Sequence, residues 1–207
     1  MRIPKLAVLL FLTGLSFCSY ADVNFLPNKS IEFAHDLPLA QNGNAVAQFN
    51  VGEIYEFGEG IHQNMQEALN WYRLAANQGN VGAQLRLADI HYFGPPALQD
   101  FQESIKWYRL AADQGNAVAQ VRLAAMYTHG LGVPANYVVA YALFNVPPAN
   151  DPSRKIFSFP FNDFLIKKMN AAEIDEAENL SKKLAVAGSF LSTLDTYLNA
   201  AHLKATN

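Results

Sequence analysis

Cysteine is nearly absent from this chain: 207 residues contain one, Cys18. A lone cysteine excludes a disulfide framework within one chain and any cysteine-rich zinc or iron–sulfur site. Excess charge is lacking too. A net charge of −3 gives no basic surplus to hold nucleic acid or an anionic membrane surface. The sequences that carry common chemistries are also missing. The five histidines show no HxxxH or HExxH spacing, and there is no G-x-S-x-G, S-x-x-K or phosphate-cradling GxxxxGK. Glu53, Glu56 and Glu59 are spaced as a solvated helix end rather than a catalytic carboxylate pair. His91 and His129 fall near predicted helix ends, where the dipole favours a cation. No catalytic residue, metal or cofactor is therefore expected. What is present is apolar residue: 51% hydrophobic against 16% charged, enough for a packed core and too much for a disordered chain.

The first 21 residues stand apart. Arg2 and Lys5 precede a nearly unbroken apolar run from Leu6 to Leu15, and Ser19 and Ala21 put small residues at −3 and −1 of a cut before Asp22. This is a secretory signal pattern. A retained anchor is the alternative, but the run falls short of the ~20 residues that span a bilayer. Lipid attachment at Cys18 is a second alternative, and it would want a small residue where Phe17 stands. Cleavage removes Cys18, so the exported chain would hold together by packing alone. The expected location is the periplasm or the exterior, with no membrane insertion afterwards.

The remainder repeats itself. Trp71-Tyr72-Arg73-Leu74-Ala75-Ala76 returns as Trp107-Tyr108-Arg109-Leu110-Ala111-Ala112. Gln78-Gly79-Asn80, Ala83-Gln84 and Arg86-Leu87-Ala88 also return 36 residues later, and residues 65–100 and 101–136 agree at close to half their positions without a gap. Each unit reads as two helices. Asn64 and Asp100 stand at N-cap positions with Glu67 and Glu103 three residues on, a capping-box spacing. Gly79 and Gly115 end the first helix, and Asn80 and Asn116 cap the second. The second helices bury Ala83, Leu87, Ala88 and Ile90, then Ala119, Leu123, Ala124 and Met126. Small residues at recurring positions let helix pairs stack closely, with Trp71 and Trp107 supplying buried area in successive layers. An all-α solenoid follows.

These residues resemble the Sel1-like repeat, a tetratricopeptide-related pattern. The resemblance is carried by Ala68, Trp71-Tyr72, Gln78-Gly79, Ala83-Gln84, Leu87 and Gly94, and by their counterparts through Tyr127, Gly130, Gly132 and Val133. It covers roughly residues 29–150 and implies a right-handed superhelix of antiparallel helix pairs, acting mostly as an adaptor in protein complexes, often in the bacterial envelope. A cysteine-rich branch of the family is associated with β-lactam chemistry, which does not carry over to a chain without those cysteines. Two departures stand out: His91 replaces a tyrosine, and Pro95-Pro96 replaces the Gly-x-Gly loop, stiffening that turn. Pro38 is expected to disturb the first helix.

The organisation expected is a signal peptide (1–21), a linker (22–28), repeat units at about 29–64, 65–100 and 101–136, and a capping helix at 137–148. A Pro/Phe-rich connector (151–163) and C-terminal helices (164–207) complete it. The connector's Phe157, Phe159 and Phe161, with Phe164, are read as folding over the core end, the alternative being a partner patch. Asn170 with Glu173 opens a helix. A last amphipathic stretch puts Phe190, Leu194, Tyr197, Leu198 and Ala201 on one face. It is expected to cap the solenoid. The alternatives are docking into a partner's groove or into the protein's own.

Stacking aligns residues 36 apart into ladders. The outward positions of the first helices are Asn70, Arg73 and Asn77, then Lys106, Arg109 and Asp113, with Asn145 continuing the row. Two guanidinium forks in register suit the carboxylates of an acidic partner, unless both arginines pair with scaffold acids. Arg86 and Arg122 form a second ladder, assigned to the outer face. The function expected is a non-catalytic, monomeric protein-binding scaffold. A periplasmic regulator of a membrane sensor or polysaccharide-export complex, and a peptidoglycan-binding or cell-wall-active protein, are the alternatives.

Overall fold

The computed structural model describes residues 28–146, 162–186 and 188–206. The expected signal peptide, the linker ahead of residue 28 and most of the Pro/Phe-rich connector lie outside the described residues. The described residues form an α-solenoid. Its helices are α1 (Asn28–Gln41), α2 (Ala45–Phe57), α3 (Met65–Asn77), α4 (Val81–Phe93), α5 (Phe101–Asp113), α6 (Ala117–His129) and α7 (Tyr137–Asn145). A helical turn over 162–166 precedes α8 (Ala171–Leu184) and α9 (Phe190–Thr206).

Side-chain caps set where the helices begin. Asn64 accepts from the backbone N–H groups of Gln66 and Glu67, and Asp100 from those of Gln102 and Glu103, all at 2.9–3.1 Å. Asn80 and Asn116 cap α4 and α6 through Ala83 and Ala119. Each satisfies helical donors that have no intrahelical acceptor. The full reciprocal capping box forms at Asn170 with Glu173; Glu103 turns instead to Lys106, 3.2 Å away. Gly79 and Gly115 adopt φ of +86° and +79°, a conformation costly to residues with a Cβ.

Consecutive helices pack on one another along the array. One apolar cluster runs from Ala68 on α3 to Leu194 on α9, built from alanines at the close approaches and fully buried Tyr72, Leu87, Tyr108, Leu123 and Phe144. A smaller cluster of Ala40, Ala47 and Val51 joins the first helices. Trp107 is buried, whereas Trp71 is only half-buried against that smaller cluster, less than the sequence pattern implied. Pro38 does not break α1. Residue 34, whose carbonyl loses its partner to the missing proline N–H, is exposed to water, and the Pro38 carbonyl still accepts from Asn42 at 3.1 Å.

A ladder of glutamines ties the units together. Gln48, Gln84 and Gln120 each donate to the carbonyl eight residues earlier, at Ala40, Ala76 and Ala112. Gln78 then donates to Gln48 Oε1 at 2.7 Å, and Gln114 to Gln84 Oε1 at 2.9 Å. The ladder stops at Gln120, whose Oε1 has no partner among the described residues.

The loops after the second helices differ in chemistry but close alike. Asn64, Asp100 and Asn136 donate their N–H groups to Tyr55, His91 and Tyr127 at 2.8–2.9 Å. Gly132 lies so near α5 that a Cβ there would stand 2.7 Å from Phe101 Cβ. In the middle loop Pro96 occupies this place. His91, buried, braces that loop with Nδ1–H toward the Leu98 carbonyl at 2.9 Å.

At the C-terminal end, α8 packs along α7, and α9 leans on α8 and α5. The end cap is thus α8. The last helix, expected to be the cap, lies on the first-helix side of the third unit, with Phe190 and Leu194 buried.

Candidate functional site

The predicted first-helix row is divided by α9. On α5, Arg109 forms an ion pair with Asp195 of α9. One turn further along, Asp113 accepts the backbone N–H of Leu191 at 3.1 Å. Arg109 also reaches the buried Tyr127, whose pKa burial raises while the guanidinium pulls it back down. Lys106 stays exposed, 3.2 Å from Glu103 and 5.5 Å above the Trp107 ring.

On α3 the corresponding surface is left uncovered by the described residues. Arg73 is half-buried and has no ion-pair or hydrogen-bond partner among the described residues. Asn77 is exposed, and the exposed Asn70 only receives Gln66 at 3.5 Å. Leu74 is 49% exposed, whereas its counterpart Leu110 is partly buried against the core. The repeat position of Tyr127, which Arg109 reaches, is held in the preceding unit by His91, and His91 is committed to Leu98. Asn145 is drawn inward: it donates to the Tyr141 carbonyl at 2.8 Å and exchanges amide hydrogen bonds with Asn162. The row therefore comprises an open part on α3, an occupied part on α5, and a closed end at α7.

The second arginine ladder is structural. Arg86 Nη2 lies 2.6 Å from Glu56 Oε1, and Tyr72 donates to Glu56 Oε2 at 2.6 Å. Glu56 is 9% exposed, not the solvated helix end its spacing suggested, because Tyr72 and Arg86 reach over it from the next two helices. In the next layer Tyr108 donates to Asp89, and Arg122 stands 4.0 Å from the same carboxylate. Both guanidiniums also cover exposed phenylalanines, Arg86 over Phe57 at 5.3 Å and Arg122 over Phe93 at 4.7 Å. Burial pushes the phenols of Tyr72 and Tyr108 well above the usual range, reinforced by the carboxylates they bond. Burial also raises the Glu53 carboxyl.

Sequence reading found the arginines but not their covers. Nothing local marks Asp195 or Leu191 as ligands of α5, since the contact spans more than 75 residues. The repeat did hold one signal, the exchange of Tyr127 for His91 under otherwise matching arginines. Among the described residues no three His, Cys, Asp or Glu side chains gather as a metal site, and no helix is long and apolar enough to cross a membrane.

Comparison with known proteins agrees with this architecture. Residues 45–80, 81–116 and 117–145 each match the Sel1 repeat, a phase that pairs each second helix with the first helix after it. A Sel1 repeat protein from Oxalobacter formigenes is similar in structure, with a TM-score of 0.50 and 26% identity over 72% of this chain and 98% of that one. The protective antigen c5321 of uropathogenic Escherichia coli, with an SLR fold, matches at 23% identity and a TM-score of 0.39, over 81% of this chain and 50% of that one. No protein of curated function matches the chain. Sel1 repeats generally mediate protein–protein interactions.

Proposed function

Because the chain belongs to the Sel1-like repeat family, we propose that it is an exported, monomeric scaffold without catalytic activity that binds another protein through the first-helix face of its repeats. The observation that carries this reading is Arg73: a half-buried guanidinium with no partner among the described residues, in register with Arg109, which has one. A cation held partly out of water and unpaired is a ready binding element for a carboxylate, and its planar fork favours two-point contact. The proposal of export, to the periplasm or the exterior, is supported by the signal pattern of residues 1–21.

Crosslinking in cells, followed by mass spectrometry, tests the proposal. The wild type should capture one abundant protein, and an Arg73→Glu variant with an unchanged circular dichroism spectrum should lose it. Capture of wall fragments alone, or of a partner indifferent to Arg73, would sink the reading.

A further inference from the structure

The chain carries its own example of what the first-helix face accepts. Helix α9 meets α5 through two polar contacts and turns two apolar residues into the core. Leu191 N–H, in the first turn where helical donors lack an intrahelical acceptor, is taken by Asp113. Asp195, four residues on and hence on the same helix face, pairs with Arg109. Phe190 and Leu194 turn inward and are 3% and 0% exposed.

Thirty-six residues earlier, no helix among the described residues packs on the same bed. Asn77 offers a side-chain oxygen where Asp113 accepts, Arg73 stands where Arg109 pairs, and Leu74 is exposed where Leu110 is covered. The charge balance differs. On α5 the arginine is accompanied by Asp113, so that bed is neutral before α9 arrives. On α3 the neutral Asn77 leaves Arg73 uncompensated among the described residues, a bed of charge +1 that attracts an acid more strongly.

We propose that α3 is a second helix-docking site, and that its occupant is the opening two turns of an amphipathic helix from a partner protein. That helix lays its first free N–H groups against Asn77 and carries, four residues on, an acidic side chain opposite Arg73. Apolar residues at the positions of Phe190 and Leu194 in α9 cover Leu74. This rests on the scaffold reading above and names the chemistry of its partner. The helix that carries Asp195 is already spent on α5, which leaves α3 for another molecule. Binding there is salt-sensitive, because the rim pair is partly exposed.

A peptide copying residues 189–206 is the probe, titrated into the full mature chain with α9 in place and followed by NMR shift mapping. Binding is expected to be weak, since the intramolecular helix enjoys an effective concentration in the millimolar range that a free peptide lacks. Shifts should gather on α3. The Arg73→Glu protein should bind about tenfold more weakly, and an Asp195→Lys peptide should bind that variant better than it binds wild type. The charge-swapped pair guards against a variant that is merely misfolded, because restored binding requires an intact bed. Shifts confined to α5 and abolished by Arg109→Glu would mean that the peptide only exchanges with α9, and would overturn the proposal. So would the absence of any shift at millimolar peptide. If the crosslinked partner still depends on Arg73 while the peptide fails, the scaffold reading survives and the helix chemistry does not.

Discussion

The first two layers of the solenoid are held by a polar set built on a buried phenol, and the last by apolar residues. Tyr72, Glu56 and Arg86 join α3, α2 and α4; Tyr108, Asp89 and Arg122 join α5, α4 and α6. In the third layer the tyrosine position is Phe144, fully buried, and the place 36 residues after Asp89 is Ala125. The hydroxyl and its acceptor disappear together, as they must when either alone would leave a buried polar group unpaired. The two polar layers also differ from each other. The acid sits at position 56 in one and, repeat for repeat, one turn earlier at 89 in the other, where Tyr92 holds the equivalent of Glu56. Residues three apart share a helix face, so either place reaches the tyrosine. The requirement falls on the hydrogen bond, not on the position of the acid.

Breaking the first set should cost most. Glu56→Ala strands a guanidinium with 31% side-chain exposure and a fully buried phenol, and about 3 kcal/mol of unfolding free energy should be lost. Asp89→Ala should cost about half as much, since Arg122 is 44% exposed and stays hydrated. Urea midpoints of the two variants decide the matter, and equal losses would erase the distinction between the layers. Alkali probes the same contrast. The phenols of Tyr72 and Tyr108 resist ionisation in the fold, by burial first and their carboxylate partners second, and burial with the Glu176 carboxylate pushes Tyr197 up to about 12. Below pH 10 both folded and unfolded chains keep these protons. Above it the unfolded chain releases them and the fold does not, so stability falls as pH rises, by about 1.4 kcal/mol per pH unit for each withheld proton. Tyr72→Phe should flatten that fall by one proton relative to wild type. An unchanged slope would show that Tyr72 ionises as freely folded as unfolded.

The reverse substitution sharpens the comparison at smaller cost. Phe144→Tyr places a hydroxyl in a layer without an acid and should lose roughly 1–2 kcal/mol. Adding Ala125→Asp should recover part of it, and thermal melts of the single and double variants supply the cycle. Additivity would show that the third layer cannot host the set, whatever its residues.

Much of this was legible beforehand, for a physical reason. Helix boundaries follow local rules, so Asn64, Asn80, Asp100 and Asn116 mark helix starts and Gly79 and Gly115 mark ends in the sequence alone. The repeat then fixed which helices neighbour one another. Glu56 was misread because its exposure is decided by Tyr72 and Arg86, which arrive from other helices. The glutamine ladder passed unrecognised although Gln48, Gln84 and Gln120 recur in step, since glutamine on a helix reads as surface until its partner 30 residues away is seen. For the binding row, sequence placed Arg73 and Arg109 in one class; only the fold of α9 separates them.

That separation offers the smallest and most local prediction. The Arg109–Asp195 pair is partly exposed, with Asp195 54% open to water, so Arg109→Ala should change global stability by under about 1 kcal/mol. Its effect belongs to α9, which leans on α5 and faces α8 across a crevice of about 780 Å³ lined by Asp175, Asn179, Thr193 and Thr196. Elements with little buried contact open at free energies far below global unfolding. Amide exchange in α9 should therefore accelerate several-fold in Arg109→Ala while α3–α6 keep their protection, and Arg73→Ala should change neither. Should α9 exchange equally slowly in both variants, Phe190 and Leu194 hold it alone, and the arginine row would owe its occupied half to apolar packing rather than to charge.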